Sequence, residues 1–578
     1  MTAHYWRVPV DGAFEFPERI DEQNALKDPR RDFGIAISGG GVRSAAAAVG
    51  QLRGLQSNKW LEKAGYISAV SGGAWAAVPF TYSKASVDDL VGTMNDQRPC
   101  DLTVSGLRTG AGAIGQAIAA TNLAPGGIRE GIGFALQQND DWIRQQVQSR
   151  VKFGFINAQY ANIRDAIRNK VFPKGMRQDK TYGRLLGPFF LDQLIEPVWT
   201  IAHDKQQGPL ASERTFGWTA DAVAHMSAGQ PHGFPAEMLT TDKERPYLIV
   251  GATMVVPGVG TDDYPMLIPF EFTPLYSGSR VGRDGQGPGL YVSSWAMDTD
   301  EVAKVDGDFF RAHVDLSDPF TLADVIAATG AAPELTLLTT DKAPGQLKDV
   351  VRKSAKFFPA FSTVAFNENM PIVKEPLSFG DGGFRDNLGL MPLLARGVHN
   401  VLVFFNTNTA LSQMNDDVKS LFMKVDLPGG TGNKTDNVVF DAKEYQPLYD
   451  TLLDAERQHT PQIYCKKGLE VRANALYRVR PYQGLNLCFF YAADVQQWHE
   501  ELRLDVKHLF APDALKTNRL DQFPFYPTHE LSLEAEQVDL LGSLWSWIVT
   551  RKQTVDAVTS TLVGLPKDVR IQACPVLD

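Results

Sequence analysis

The stretch that decides the fold begins with Phe33-Gly-Ile-Ala-Ile37, which runs directly into the glycine-rich turn Ser38-Gly-Gly-Gly-Val-Arg43. The apolar run is typical of a buried β-strand, the glycines of a tight turn, and the alanine-rich residues 44–55 of a helix. The same order returns at Tyr66-Ile-Ser-Ala-Val70, which is followed by Ser71-Gly-Gly73 and further alanines. Two strand–turn–helix units in succession predict an α/β fold with a mainly parallel central sheet covered by helices.

The composition is that of a folded chain with a large core. Its 578 residues are 44% hydrophobic, 10% aromatic and 21% charged, which excludes disordered, collagen-like and coiled-coil proteins. Lysine plus arginine number 57 against 67 aspartates plus glutamates, a net charge of −10. Because this balance provides no overall positive field for a phosphate backbone, a nucleic-acid partner is not expected.

The sequence shows which targeting, membrane-spanning and cysteine patterns are present, and these patterns indicate the cellular location of a protein. The first 16 residues mix charged side chains with short apolar pieces and so lack the layout of a secretory signal. No run of ~18 apolar residues predicts a transmembrane helix. The cysteines, scattered and without a C-x-x-C pair, predict neither a disulfide framework nor a zinc cluster. We expect a cytoplasmic or peripheral membrane location, although an effector exported without a cleavable signal would show the same pattern.

The strand pattern divides the chain into a core with an insertion. Strand character returns at Tyr247–Val256 and Val401–Phe405, and a final helix is predicted from Ser532 to about Arg551. Between the first two units and this return, the chain is rich in glycine and polar helical pieces. Four regions are predicted: 1–95 and 246–410 as the two parts of the catalytic core, 96–245 as an inserted, largely helical cap, and 411–578 as a region packing on the core.

Three consecutive glycines between a strand and a helix predict an anion-binding turn. They let the backbone approach a ligand closely, and amide groups at a helix start point toward negative charge. A phosphate-binding P-loop is excluded because no lysine stands between Gly39 and Ser44, and a dinucleotide fingerprint fails because Ser44 occupies the place of its third glycine. A packing turn without a ligand remains the alternative.

The second turn has the spelling of a nucleophile elbow. Ser71 stands between a strand and two glycines, with Ala69 in the place of the usual first glycine. The earlier glycine turn would supply donors for an oxyanion. An activated serine needs a base, and Asp381 lies in another glycine turn before an apolar helix predicted at 388–394. Since a carboxyl with a pKa near ~3.9 is a weak base, this contact would have to be short and shielded from water.

Four blocks of the sequence follow one another in a distinctive order. They are Gly34-Ile-Ala-Ile-Ser-Gly-Gly-Gly-Val-Arg-Ser44, Val70-Ser-Gly-Gly-Ala-Trp75, Phe270-Glu-Phe-Thr-Pro274 with Gly278, and Asp381-Gly-Gly followed by Asp-Asn-Leu-Gly-Leu-Met-Pro-Leu393. In this order they resemble the catalytic domain of the cytosolic phospholipase A2 and phospholipase B (lysophospholipase) family, within the patatin-like group. The resemblance covers roughly 33–95 and 246–410 and implies a patatin-like three-layer sandwich.

The resemblance also implies roles for individual residues. Ser71 would be the nucleophile and Asp381 its only general base, without a histidine. Arg43 would lie near the substrate phosphate or the developing charge. The substrate would be a phospholipid or lysophospholipid at a membrane surface, and no cofactor, metal or calcium module is implied. The amides of an oxyanion hole would come from four glycines: Gly39, Gly40, Gly41 and Gly72.

Several alternatives stay open at the level of sequence. A scaffold or lipid-binding protein, an acyltransferase or a neutral lipase could share the fold. Segments 105–124 and 544–549 could form a lid and a membrane contact, although such patterns are more often core helices. A conventional triad would need one of the histidines that follow Asp381: His399, His459, His499, His508 or His529.

Overall fold

The fold is taken from a computed structural model of the chain. The residues that it describes are 2–11, 14–20, 30–108, 112–123, 180, 183, 186–192, 194–195, 209–228, 237–256, 265–299, 301–305, 311–315, 319–331, 359–367, 370–413, 416–426, 435–528, 530, 532–567 and 574. Most of the predicted cap, 96–245, and His529 lie outside these ranges.

The described residues form sixteen strands and fifteen α-helices. The strands are β1 Thr2–Val8, β2 Phe33–Ile37, β3 Tyr66–Val70, β4 Phe216–Thr219, β5 Leu239–Thr241, β6 Tyr247–Val256, β7 Met266–Phe272, β8 Tyr276–Val281, β9 Pro288–Ser293, β10 Glu301–Val305, β11 Arg311–Asp315, β12 Ala360–Asn367, β13 Met370–Asp381, β14 Asn400–Phe405, β15 Gln462–Val471 and β16 Tyr482–Tyr491. The helices are α1 Pro17–Ile20, α2 Gly41–Ser57, α3 Gly72–Tyr82, α4 Val87–Val91, α5 Gly112–Leu123, α6 Ala220–Ala228, α7 Leu322–Thr329, α8 Gly383–Asp386, α9 Met391–Ala395, α10 Asp416–Ser420, α11 Tyr445–Arg457, α12 Gln496–Glu501, α13 Leu504–Lys507, α14 Ala535–Thr550 and α15 Lys552–Thr561.

The centre of the main sheet is parallel, as the two strand–turn–helix units predict. Strands β6, β3, β2, β14 and β16 lie side by side in that order, and each neighbouring pair is parallel. Antiparallel strands extend the sheet on both sides, with β15 at one edge and β7, β8, β9, β1, β11 and β10 beyond the other. The α/β class with a parallel centre is therefore confirmed, and the patatin-like three-layer form and the helical cap stay predictions.

Strand β6 brings two distant parts of the chain together. β3 runs parallel to it and ends with Val70 opposite Gly251. β13 runs antiparallel to β6 and ends with Asp381 opposite Ala252, the next residue of β6, while β7 pairs with the other side of β6. Because successive residues of a strand lie ~3.3 Å apart, the ends of β3 and β13 meet. Asp381 was expected in a turn, but it is the last residue of a twelve-residue strand.

Helices pack on both faces of the parallel centre. Side chains of β14 alternate between two apolar clusters, one shared with α2, α3 and α14 and the other with α9 and α11. Helices α2 and α14 touch closely, since a Cβ at Gly50 would lie 2.0 Å from the carbonyl oxygen of Gly542. Trp545 and Trp547 of α14 are 2% and 4% exposed. The candidate membrane contact at 544–549 is therefore a core helix.

Helix α5 covers most of the segment considered as a lid. Its Ile114 and Ile118 are fully buried in the core cluster that α2 and α3 share, so this part of the segment is core as well. The helix predicted from Ser532 to about Arg551 is present as α14, whose N-terminal end is capped by Glu534 with Gln537, but it is not the final helix, since α15 follows it. Among the described helices, none combines the length and apolar character needed to cross a bilayer.

The cysteines correct the expectation drawn from their spacing. All four are paired, Cys100 with Cys574 and Cys465 with Cys488. Cys465 and Cys488 face each other across the antiparallel pair of β15 and β16, and the first pair joins residues 474 positions apart. Spacing along the chain does not show either the register of a strand pair or the return of a distant segment, which is why the sequence did not predict these bonds.

Candidate active site

Ser71 lies at a tight turn between β3 and α3, as the elbow spelling predicts. Its backbone has φ 50° and ψ −125°, a conformation that costs a residue with a side chain about 1–3 kcal/mol. The following position has no room for a side chain, because a Cβ at Gly72 would lie 1.8 Å from the carbonyl oxygen of Gly41. The elbow and the first glycine turn are therefore in direct contact.

The hydroxyl of Ser71 donates a hydrogen bond to the Asp381 carboxylate. The distance from Oγ to Oδ2 is 2.7 Å, although 310 residues separate the two positions. The other carboxylate oxygen, Oδ1, accepts from the backbone N–H of Gly383 at 2.7 Å, which fixes the orientation of the carboxylate. Ser71 is 3% exposed and Asp381 is 6% exposed, so the contact is both short and shielded from water.

The surroundings of Asp381 make it a stronger base than an ordinary carboxylate. Burial raises the pKa of Asp381 to about 6, even though the hydrogen bonds from Gly383 and Ser71 act in the opposite direction. A general base works best when its pKa lies near the operating pH. The carboxylate can therefore be ionised at neutral pH and still accept a proton from a hydroxyl.

The backbone amides of the glycine turn differ in whether they already have a hydrogen-bond acceptor. The N–H of Gly39 donates to the backbone oxygen of Asn387 at 3.0 Å, so this amide is already satisfied. No backbone hydrogen bond from Gly40, Gly41 or Gly72 is found within the described residues. Positive φ angles of 139° at Gly40 and 62° at Gly41 show why glycine is needed there. Of the four amides predicted for an oxyanion hole, Gly39 is therefore occupied in this conformation.

Asn406 is hydrogen-bonded to the two serines that flank the glycine turn, Ser38 and Ser44. It was not identified as a site residue from the sequence. Its N–H donates to Ser38 Oγ at 2.8 Å, and its side-chain amide donates to Ser44 Oγ at 2.9 Å. Its Oδ1 accepts from Gln51 at 2.6 Å. Asn406 could have been found from the sequence as the polar residue directly after the buried strand β14, since functional groups gather at the carboxyl ends of parallel strands.

Arg43 is buried beside the same turn, at 4% exposure. Its Nε and Nη2 donate to the backbone oxygen of Asn406 at 3.2 and 2.9 Å. Two contacts come from the C-terminal region: Nη1 donates to the backbone oxygen of Tyr526, and Nη2 donates to Thr528 Oγ1 at 3.3 Å. Burial lowers the pKa of Arg43 to about 9. The guanidinium is thus a buried cation that donates to the uncharged oxygens of Asn406, Tyr526 and Thr528.

None of the described histidines stands between Ser71 and its carboxylate. His399 is exposed and contacts Asp32 at 2.8 Å; it lies just before β14, at the opposite end of the sheet from the turn after β3. His499 contacts Asp494 at 2.7 Å near the surface. The direct bond from Ser71 to Asp381 leaves no imidazole between them, and His529 lies outside the described residues.

The segment Phe270–Pro274 serves the scaffold through Glu271. This buried carboxylate receives hydrogen bonds from Arg280, from Arg396 at 2.9 and 3.2 Å, and from Tyr291 at 2.7 Å. Burial alone would raise the pKa of Glu271, but Arg280 and Arg396 outweigh it and hold the value at about 2. The segment anchors strands β7, β8 and β9 and, through Arg396, the chain after α9.

Comparisons with known proteins add a distant structural likeness. No protein-family model and no curated protein matches the chain. Human GIVD cytosolic phospholipase A2 is similar at 12% sequence identity and a TM-score of 0.47, over 94% of this chain and 64% of that chain. The same human protein in complex with methyl gamma-linolenyl fluorophosphonate gives 12% identity and a TM-score of 0.38, over 93% and 60%. This chain thus spans less than two thirds of their length, and its function has to be argued from its own site.

Proposed function

We propose that the protein is a serine esterase that hydrolyses the carboxylic ester of a phospholipid or lysophospholipid. The observation that carries this proposal is the 2.7 Å hydrogen bond from Ser71 Oγ to Asp381 Oδ2. Three further features support it: the site is buried, the carboxyl pKa is raised to about 6, and glycine amides lie beside the serine. A scaffold would have no need for a strained serine in contact with a basic carboxylate.

The reaction follows from these positions. Asp381 takes the proton of Ser71 as Oγ attacks the acyl carbonyl, and the amides of Gly40, Gly41 and Gly72 stabilise the resulting oxyanion. As the intermediate collapses, Asp381 gives this proton to the ester oxygen, which releases the alcohol and leaves an acyl-serine and an ionised carboxylate. Asp381 then takes a proton from a water that attacks the acyl-serine and passes it to Ser71 Oγ as the fatty acid leaves. The protein itself supplies every group in this sequence, so no cofactor is required.

Arg43 is proposed to bind the substrate phosphate or the developing negative charge. A Cβ at Gly40 would lie 2.5 Å from Nη2 of Arg43, so the guanidinium adjoins the glycine turn. Its partners at Asn406, Tyr526 and Thr528 are uncharged, whereas a phosphate would add the attraction between opposite charges, which is strong where water is excluded. A phosphate would therefore compete well against one of these oxygens, and Thr528, at 3.3 Å, is the weakest of them.

The test is hydrolysis of a panel of labelled phospholipids and lysophospholipids by the purified protein, with Ser71→Ala and Asp381→Asn beside it. Both variants should lose fatty-acid release while circular dichroism stays unchanged. Ser560→Ala, on the exposed face of α15, is the matched control and should keep full activity. Wild-type rates in either site variant would contradict the dyad.

A fluorophosphonate probe separates the alternatives. Covalent labelling that is lost in Ser71→Ala shows that Ser71 is an activated nucleophile, whereas a scaffold would show none. Adding an alcohol acceptor and analysing products by mass spectrometry separates acyl transfer from hydrolysis, and triacylglycerol in the panel detects a neutral lipase. Release of fatty acid from phospholipid without transfer to the alcohol is the expected result.

A further inference from the structure

Thr329 is a buried residue that is hydrogen-bonded to Ser71 and to Gly382, the residue directly after Asp381. It is the last residue of α7 and is fully buried. Its Oγ1 accepts a hydrogen bond from the backbone N–H of Ser71 at 2.8 Å and donates one to the backbone oxygen of Gly251 at 2.5 Å. Its own carbonyl accepts from the N–H of Gly382 at 3.2 Å. One residue is thus bonded to the elbow, to β6 and to the turn after Asp381.

These three hydrogen bonds lie next to the residues that fix the positions of Ser71 and Asp381. Gly251 is the β6 residue opposite Val70, directly before the nucleophile, and Gly382 directly follows the carboxylate. The strained backbone of Ser71 persists only if its surroundings hold it in place. A hydroxyl is suited to this position because it accepts from one backbone group and donates to another at the same time.

We propose that Thr329 is a positioning residue that sets the contact between Ser71 Oγ and Asp381 Oδ2. This inference rests on the proposed esterase function. Without the hydroxyl, the buried N–H of Ser71 would lose its acceptor and the carbonyl of Gly251 would lose one of its donors, and a buried polar group left unpaired costs about 1–3 kcal/mol. The elbow relieves this cost by turning its N–H toward another acceptor. Such a movement changes the position of Oγ relative to the carboxylate.

The decisive comparison is Thr329→Val against Thr329→Ser. Valine keeps the shape of threonine and removes the hydroxyl, whereas serine keeps the hydroxyl and removes a methyl group. A misplacement of ~1 Å at a catalytic group can reduce a rate about 100-fold. We therefore expect kcat to fall about 10- to 100-fold in Thr329→Val, with KM within about twofold of wild type, and Thr329→Ser to restore most of the rate.

The control variant is Thr550→Val. Thr550 ends α14 and donates to the backbone oxygen of Ser546 at 2.7 Å, so the change removes a comparable buried hydroxyl away from the dyad. It should lower the melting temperature and leave kcat unchanged. Thr329→Ala is measured as well, since its smaller side chain keeps the test valid if valine is not accommodated.

Two measurements are made on each variant: steady-state hydrolysis of the phospholipid that wild type cleaves best, and the rate of fluorophosphonate labelling at Ser71. Loss of kcat and slower labelling in the valine or alanine variant, with rescue by serine, supports the proposal. A lower melting temperature with wild-type kcat and labelling, or an equal loss in Thr329→Ser, overturns it. An inactive and unlabelled wild-type protein would instead refute the esterase function itself.

Discussion

Replacing Asp381 by Asn should abolish activity and, at alkaline pH, make the fold more stable. The amide has nearly the same shape as the carboxylate, so it can still accept from Gly383 and can donate to Ser71 Oγ. What it removes is a negative charge that the folded protein keeps out of water. Because a neutral amide cannot take the proton of the serine, catalysis is lost together with that charge.

The magnitude follows from the raised pKa of Asp381. Its value moves from 3.8 to about 6 on folding, and each unit corresponds to about 1.36 kcal/mol. A raised pKa means that the folded state favours the protonated form. The protonated carboxyl group therefore stabilises the fold at a pH below the unfolded pKa, and this stabilisation is lost as the pH rises through about 6. Relative to an uncharged side chain, the carboxylate therefore costs the folded protein about 3 kcal/mol at pH 8 and about half of that at pH 5.

The assay is urea unfolding followed by tryptophan fluorescence at pH 5 and pH 8, for wild type and Asp381→Asn. Burial also raises the pKa of Asp386 to about 6 and that of Asp539 to about 7. Both groups titrate in wild type and variant alike, so their contributions cancel in the difference between the two free energies of unfolding. The control Asp454→Asn changes an exposed carboxylate and should alter stability by less than about 0.5 kcal/mol.

A variant no more stable than wild type at pH 8, or a stability difference that does not shrink at pH 5, would show that the pKa of Asp381 is not raised by folding. The activity of the wild type supplies an independent reading of the same group. Because Asp381 must be ionised to accept a proton, kcat should rise with pH through about 6 and then level off. A rate that is flat between pH 5 and pH 8 would remove Asp381 as the general base.

Two further variants test the scaffold of the site. Gly72→Ala would place a methyl group 1.8 Å from the carbonyl oxygen of Gly41, so the elbow has to move away from the glycine turn. We therefore expect the rate of ester hydrolysis to fall about 100-fold or more. Labelling by fluorophosphonate at the wild-type rate would contradict this expectation. Glu271→Gln removes the carboxylate that Arg280 and Arg396 share. Arg396 keeps Glu18 at 2.8 Å, but Arg280 loses the carboxylate that it contacts, so the free energy of unfolding should fall by about 3–5 kcal/mol. An unchanged melting temperature would show that Arg280 finds another partner.

The local pattern of the chain was sufficient for the units on which the site is built. The strands at 33–37 and 66–70, their glycine turns and the helices that follow are all present where the pattern predicts them. Such units depend on interactions between residues close in sequence: a run of β-branched and apolar side chains, then glycines that allow the turn. The turn at Ser71 belongs to this class, because the strand, the glycines and the helix that form it are neighbours in sequence, whereas its strained backbone is also held by the distant Thr329.

The supporting residues were beyond this kind of reasoning. Thr329 ends a helix with no motif around it, and Asn406 is one polar residue after one strand. Their roles depend on which backbone groups lie beside them after folding. The same holds for the disulfides, since each cysteine pair is defined by chain segments that meet only in three dimensions.

The residue types of the site could be named from the order of the amino acids, because a glycine turn, a serine elbow and an aspartate followed by two glycines each have a local spelling. Their meeting could not be derived in the same way. Ser71 and Asp381 touch because β3 and β13 end at neighbouring residues of β6, and the raised pKa of Asp381 comes from its burial. Strand register and exclusion of water are properties of the packed molecule, so only the tertiary structure decided them.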